Sequence, residues 1–301
     1  MLSGMAADKR RSSRTRQRGA SGPTESGPTP DPGPPYIVVW HPGAVAERDE
    51  SWPAREKVAM VHAAQKLEAA GPRLGHPHSS AVRGAVGQGF RELRPRAGRS
   101  RWRPIYRRAN PSTFVIFAVA PEAGIDSRGY DAAVARAVER FAQLELDWDS
   151  ARTADNRGVI MKHMKLSEMK TNDELVAEQL RTDPDFRAEW ERTALARAVA
   201  VAIVRYRTEH DLSQRELADH LGMKQPQVAR LELGEVNPSI DTLMRISAQL
   251  GIEFTIDVRP AGTPARNVTK RAQANGLVGS YRTEQSEILV VADRSARLMN
   301  T

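Results

Sequence analysis

Apolar positions along the chain change period several times. A compact β-rich run, YIVVW at residues 36–40, predicts a first strand. From about Ala44 to Ala70 the spacing becomes helical, with Val58, Val61 and Leu67 on one face, and Gly71-Pro72 breaks it. A loop carrying His76, Pro77, His78, Ser79 and Ser80 follows. Three strand-like runs come next: GFRELRP, SRWRPIYRR and STFVIFAVA. Turn chemistry at Pro95-Arg96-Ala97-Gly98 and Ala109-Asn110-Pro111 separates them. YDAAVARAVERFAQLE then restores helical spacing. A strand, helices, a three-strand meander and a helix make an α+β order over residues 36–150.

Periodicity fades between Leu146 and Lys170, and residues 151–170 read as a linker. Met161, Met164 and Met169 each offer a start for a free-standing second protein. From Thr171 to Gly251 the pattern is helical. Thr171 and Glu174 form a capping box, and Asp183-Pro184 opens a helix with Phe186 and Trp190 on one face. Leu195, Val199, Ala202, Ile203 and Tyr206 line the next. Three short helices follow. Ser213 and Glu216 cap the first, Leu217, Ala218 and Leu221 give it an apolar face, and Gly222 ends it. The second starts at Gln225 with Pro226 in its first turn. It turns Val228, Leu231 and Leu233 inward and leaves Gln225, Gln227 and Arg230 outward. Gly234 closes it, and Asn237-Pro238-Ser239 opens the third. IEFTIDV after Gly251 predicts an edge strand able to pair with its copy in a dimer. Residues 261–301 hold a single apolar run, EILVVAD, and read as a mostly disordered tail. Residues 1–35 read as a disordered basic, Pro-rich arm.

Composition adds a partner class and removes others. A net charge of +8 over 301 residues favours a polyanion. There is no cysteine, hence no disulfide framework and no thiolate metal site. No apolar run approaches bilayer length and the N-terminus lacks a signal-peptide core, so a soluble, cytoplasmic protein without membrane partners is expected. No phosphate loop, paired-histidine spacing or Gly-x-Ser-x-Gly appears, so neither metal nor cofactor is expected.

The stretch SQRELADHLGMKQPQVARLELGEVNPSIDTLMRISAQLG resembles the Cro/C1 (XRE) helix-turn-helix family. In that geometry the second helix enters the major groove. The resemblance implies operator-DNA contacts from Ser213, Gln214, Lys224, Gln225, Gln227 and Arg230. A glutamine amide can pair bidentately with adenine, and an arginine can reach guanine or a phosphate. Lys224 departs from the family's serine cap: it forfeits a cap and adds a phosphate-seeking charge. The helical lead-in from Asp183 resembles the HigA-type antitoxins.

FRELRP followed by RWRPIYRR, with the order of elements around them, resembles the RelE/HigB toxin ribonucleases, closest to the phage Gp49-like branch. RNA carries its own nucleophile, the 2′-hydroxyl, so such an enzyme must align it, take its proton and neutralise the pentavalent phosphate, with no metal. Paired guanidinium donors suit the last task. Strand alternation sets Arg91 and Leu93 on one face and Glu92 and Arg94 on the other. Arg101 and Arg103 are expected to share a face. Arg91 and Arg103 are the expected phosphate stabilisers, with Arg101 beside them. The family's later basic residue is replaced here by Glu122, for which Arg128 or Tyr130 could substitute, Tyr130 by stacking on a base. His76 and His78 could supply a general base.

The two resemblances together imply a fused type II toxin–antitoxin protein. Its C-terminal half would bind operator DNA as an autorepressor and homodimer. It would also cover an N-terminal half resembling ribosome-dependent mRNA endoribonucleases. The alternative is a DNA-binding regulator alone, with a catalytically dead toxin-like domain, and Glu122 is the feature that favours it.

Overall fold

β5 (Thr113–Pro121) has only apolar side chains between Phe114 and Ala120, all buried, and it therefore sits inside a sheet covered on both faces. The computed structural model describes residues 36–48, 52–84, 86–144, 164–260, 278–282 and 286–294. Around β5 run β1 (Ile37–Trp40), β2 (Ser79–Ala81), β3 (Arg91–Leu93), β4 (Trp102–Arg108) and β6 (Lys170–Thr171), in the order β2-β3-β4-β5-β1-β6. The predicted meander is β3-β4-β5, antiparallel throughout. β1 pairs with β5 in parallel, Ile37 opposite Thr113 and Trp40 opposite Ile116. A parallel partner needs a crossover, and the helices between β1 and β2 supply it. At Ile105/Tyr106 the register slips past Phe117, so Phe117 and Ala118 both turn to the same face.

The predicted helix over 44–70 is two helices, α1 (Pro42–Ala46) and α2 (Ala54–Ala70), with Trp52-Pro53 at the break. α2 covers the face of the sheet that carries Leu93, Tyr106, Phe114 and Ile116. α3 (Ser127–Ala142) covers the other, packing Tyr130, Ala133 and Val134 on Ile105, Val115 and Phe117. β2 occupies part of the expected loop. Its Ser-Ser-Ala sequence has no apolar alternation to announce a strand.

The C-terminal half is α4 (Asn172–Thr182), α5 (Pro184–Arg192), α6 (Ala194–Glu209), α7 (Gln214–Leu221), α8 (Gln225–Leu233) and α9 (Ile240–Leu250). Val199, Ile203, Leu217, Leu221 and Val228 form its core, as the spacing predicts, together with Leu243, Ile246 and Leu250 of α9. The α+β class followed by an all-helical region is borne out.

The boundary between the halves differs from expectation. Leu175, Val176, Phe186, Trp190 and Val204 join α2 and the sheet in one apolar cluster. α2 is accordingly buried on more than one side, including at His62 and Lys66. The last part of the expected linker belongs to the sheet: Met164 bridges to Leu144, and β6 pairs with β1, Thr171 opposite Val39. The side chain of buried Asn172 accepts from Trp40 Nε1 at 3.2 Å and donates to the Val61 carbonyl at 3.3 Å. Met164 and Met169 pack on the α3 side of the sheet. Met161, residues 151–163 and the arm over 1–35 lie outside the described residues.

The tail differs from expectation too. β7 (Ile252–Pro260), β8 (Val278–Arg282) and β9 (Ser286–Arg294) form a sheet ordered β7-β9-β8. The EILVVAD run is part of β9, and β7 finds its partner in the same chain, Ile252 opposite Arg294. A β-branched run satisfies its backbone most simply by pairing, and the short, polar VGSYR partner gave no sign of itself. Residues 261–277 of the tail lie outside the described residues.

Candidate nucleic-acid interface

The helix-turn-helix is built by its caps. The Ser213 hydroxyl accepts from Glu216 N at 3.2 Å, and the Glu216 carboxylate accepts from Ser213 N at 2.7 Å. Gly222 and Gly234 end α7 and α8 in the left-handed conformation, φ +58° and +72°. Gly234 is required twice over, since a Cβ there would meet His62 Nε2 at 2.6 Å. Lys224 makes no side-chain cap, as expected. Its backbone N–H instead donates to Gln227 Oε1 at 2.8 Å.

Lys224, Gln225, Gln227 and Arg230 are all exposed on α8, and Ser213 is exposed ahead of α7. Gln214 is half-buried and links the two helices. Its Oε1 accepts from Gln225 Nε2 at 2.8 Å, and its own Nε2 donates to Glu232 Oε2 at 2.7 Å. Glu232 is fully buried, and the Arg207 guanidinium of α6 donates to both its oxygens. Its third neighbour comes from the N-terminal half, His78 Nε2, at 2.8 Å from Oε2. Burial raises the Glu232 carboxyl, but the His78 hydrogen bond and the Arg207 charge outweigh it and hold the group below the usual carboxylate range. Burial and the nearby Lys66 charge push the His78 imidazole down, so it is neutral near pH 7 and donates from Nε2.

The sequence reading does not reach Glu232 and Arg207, and it gives His78 a different role, as a general base. One signal was available: Glu232 falls between Leu231 and Leu233, on the buried arc of an amphipathic helix, where an acid must be paired.

The arginines of the N-terminal sheet are placed differently. Arg91 and Leu93 do share a face, but Arg91 is partly buried. Its Nε donates to Ser79 Oγ at 3.1 Å and Tyr106 Oη at 3.2 Å, and its Nη2 to the Leu74 carbonyl at 3.3 Å. Arg103 is 2% exposed, bonded to the Ser100, Trp102 and Gly98 carbonyls and ion-paired to Glu122 at 2.9 Å. A free phosphate-binding fork is therefore absent at Arg103. Arg101 does not share its face, because β4 begins only at Trp102 and alternation does not reach Arg101, which is exposed. Arg128 is exposed in the first turn of α3. Tyr130 is a core residue, not a stacking platform: it is 4% exposed and donates its hydroxyl to Glu92 Oε2 at 2.8 Å. His76 is exposed, whereas His78 is buried against Glu232 and is not available as a general base.

The structure thus gathers Arg103, Tyr130 and Ser80 around the buried Glu92, in the interior and not on a groove. Other ion pairs close the seam. Arg96 binds Glu235 at 2.7 Å and Lys57 binds Asp183 at 2.8 Å across it, and Glu56 of the same half binds Arg96 at 2.8 Å. Arg96 and Ala97 both adopt positive φ, +52° and +51°. That costs about 1–2 kcal/mol per residue, which the Arg96 pairs help offset. Among the described residues no cluster of His, Cys, Asp or Glu could hold a metal ion, and no helix is long and apolar enough to cross a membrane.

Two family models match the chain. The Helix-turn-helix family matches residues 203–256, from α6 into β7. The family of phage derived protein Gp49-like matches residues 50–141, from the start of α2 through nearly all of α3. An uncharacterized HTH-type transcriptional regulator of Haemophilus influenzae is 30% identical over 92 residues, which are 31% of this chain and 90% of that protein. The antitoxin HigA1 of Mycobacterium tuberculosis is 33% identical over 75 residues, which are 25% of this chain and 50% of the antitoxin. No solved structure matches. The chain belongs to the helix-turn-helix family of transcriptional regulators, and it carries a Gp49-like domain ahead of its DNA-binding helices.

Proposed function

We propose that the chain is a self-contained repressor of toxin–antitoxin descent. Its C-terminal half binds operator DNA sequence-specifically and keeps the Gp49-like half silent in the same molecule. The observation that carries this reading is a contrast: Lys224, Gln225, Gln227 and Arg230 are exposed while the two halves share one buried core. A tether would raise local concentration to about millimolar and leave the halves free to part. Shared packing holds them together in every molecule. The intact chain therefore represses transcription, as a homodimer reading two half-sites about one helical turn apart, and does not cleave mRNA on the ribosome. The test is to add purified intact chain to a translating extract and map mRNA ends, beside a chain carrying E235A and K57A to loosen the seam. Cleavage only by the loosened chain supports a live, neutralised endoribonuclease. Equal cleavage by both chains contradicts neutralisation.

A second reading is favoured by Arg103. Its ion pair with Glu122 occupies the place where a basic residue is expected in the toxin family, and its other donors are bound to carbonyls. On that reading the Gp49-like half is catalytically dead and serves the DNA-binding half as a scaffold. No cleavage by either chain, with the loosened chain still folded, supports it.

A further inference from the structure

The recognition helix carries a carboxylate that takes one of its donors from outside the helix-turn-helix. Glu232 Oε2 accepts from Gln214 Nε2 at 2.7 Å and from His78 Nε2 at 2.8 Å. His78 is 2% exposed and lies next to β2, at 154 residues' separation from Glu232. The direction of each bond follows from chemistry. An ionised carboxylate only accepts, so the amide nitrogen of Gln214 must face Glu232. That leaves the Gln214 carbonyl oxygen toward α8, where it accepts from Gln225 Nε2 at 2.8 Å. Gln225 in turn keeps its carbonyl oxygen and one N–H free. Adenine presents a donor at N6 and an acceptor at N7 to this pair of groups.

We propose that His78 of the Gp49-like half is a positioning residue for DNA reading. It holds Glu232, Glu232 holds Gln214, and Gln214 sets which end of Gln225 faces the base. Base preference at the Gln225 position then depends on the docked N-terminal half. The inference rests on the DNA-binding reading above. Arg207 supplies the counter-charge to Glu232 and donates to Oε1, with a longer bond of 3.3 Å to Oε2, and His78 supplies the shorter donor to Oε2, at 2.8 Å. Without it Oε2 keeps only the long Arg207 bond beside the Gln214 amide, and the carboxylate can rotate toward Arg207 and weaken its hold on the amide. Lys66, buried on α2, is the other cation facing this cluster and helps keep His78 neutral.

The experiment is selection of binding sites by the intact chain from a library of randomised DNA duplexes. Wild type, H78A, H78N and H78Q are compared, with Q214A and K224A as references and a thermal melt to confirm folding of each. H78Q carries an N–H near the place of the imidazole Nε2, whereas H78N keeps the site polar but carries its nitrogen nearer Nδ1. The wild type is expected to enrich a motif with adenine at the position that Q214A relaxes. H78A is expected to lose roughly tenfold of that discrimination at the same position, and H78Q to restore it. K224A, by contrast, is expected to weaken all sequences evenly. If H78A does not fold, the same loss is expected of H78N against H78Q. A folded H78A, or a folded H78N, with wild-type preference overturns the inference and leaves the DNA-binding reading standing. A wild-type chain that enriches no sequence overturns both.

Discussion

The outer face of α8 and the strands β3 and β4 are both basic in sequence, and they end up in opposite states. On α8, Lys224 and Arg230 stand in solvent beside Gln225 and Gln227. On the strands, Arg91 and Arg103 are turned inward and bonded to hydroxyls, carbonyls and carboxylates. Charge alone does not mark a nucleic-acid surface. An amphipathic helix declares its wet face by periodicity, because the apolar stripe fixes the rest. A strand in a sheet covered on both sides has no wet face to declare, so a polar residue there must find partners within the protein.

The contrast predicts its largest effects at two buried ionic side chains, Glu232 and Arg103. E232A strands the Arg207 guanidinium in the interior and is expected to cost about 3–5 kcal/mol, read as a large fall in the thermal melting temperature. R103A removes a buried guanidinium that donates to the Ser100, Trp102 and Gly98 carbonyls and sits beside the buried Glu92, and is expected to cost about 2–4 kcal/mol. R101A, on an exposed side chain, should stay within about 0.5 kcal/mol of wild type. Equal, small effects at Arg103 and Arg101 would mean that Arg103 is not a structural residue.

Much of this contrast was legible in advance, and the illegible part has a physical cause. The caps at Ser213 and Thr171, the glycine stops at Gly222 and Gly234, and the exposed glutamines depend on residues within one or two turns, and all stand where the spacing places them. The fates of Arg103, Tyr130 and His78 depend on Glu122, Glu92 and Glu232, which lie far away in the chain or across a sheet. The same holds for β6 and β9, whose strands exist because partners elsewhere pair with them.

Smaller effects are expected on the helix side. Q227A should relax base preference by about 1–3 kcal/mol at one position. K224A should weaken binding to every sequence and flatten the salt dependence by about one counterion. Competition binding across a salt series separates the two. If K224A changed preference and left the salt slope alone, the assignment of Lys224 to the phosphates would fail.

Stability is also expected to depend on pH. Burial, reinforced by Lys66, lowers the His78 imidazole to about 4, so the unfolded chain takes up its proton first on acidification. The contribution of His78 is complete above its ordinary value near 6.5 and is lost as pH falls from there toward 4. Glu232, held below the usual carboxylate range, adds a loss of the same sign at still lower pH. H78Q has no imidazole to protonate. Its melting temperature relative to wild type should rise between pH 7 and pH 5. A flat difference would place His78 in a less buried setting than the seam provides.

The central claim is that the intact chain, with its Gp49-like half docked, reads DNA by sequence. The direct measurement is its affinity at physiological salt for duplex DNA from upstream of its own reading frame, against a shuffled duplex of the same length and composition. The account predicts a preference of about a thousandfold or more for the upstream duplex. Equal binding to both would show that the exposed face of α8 contributes only charge, and would contradict it.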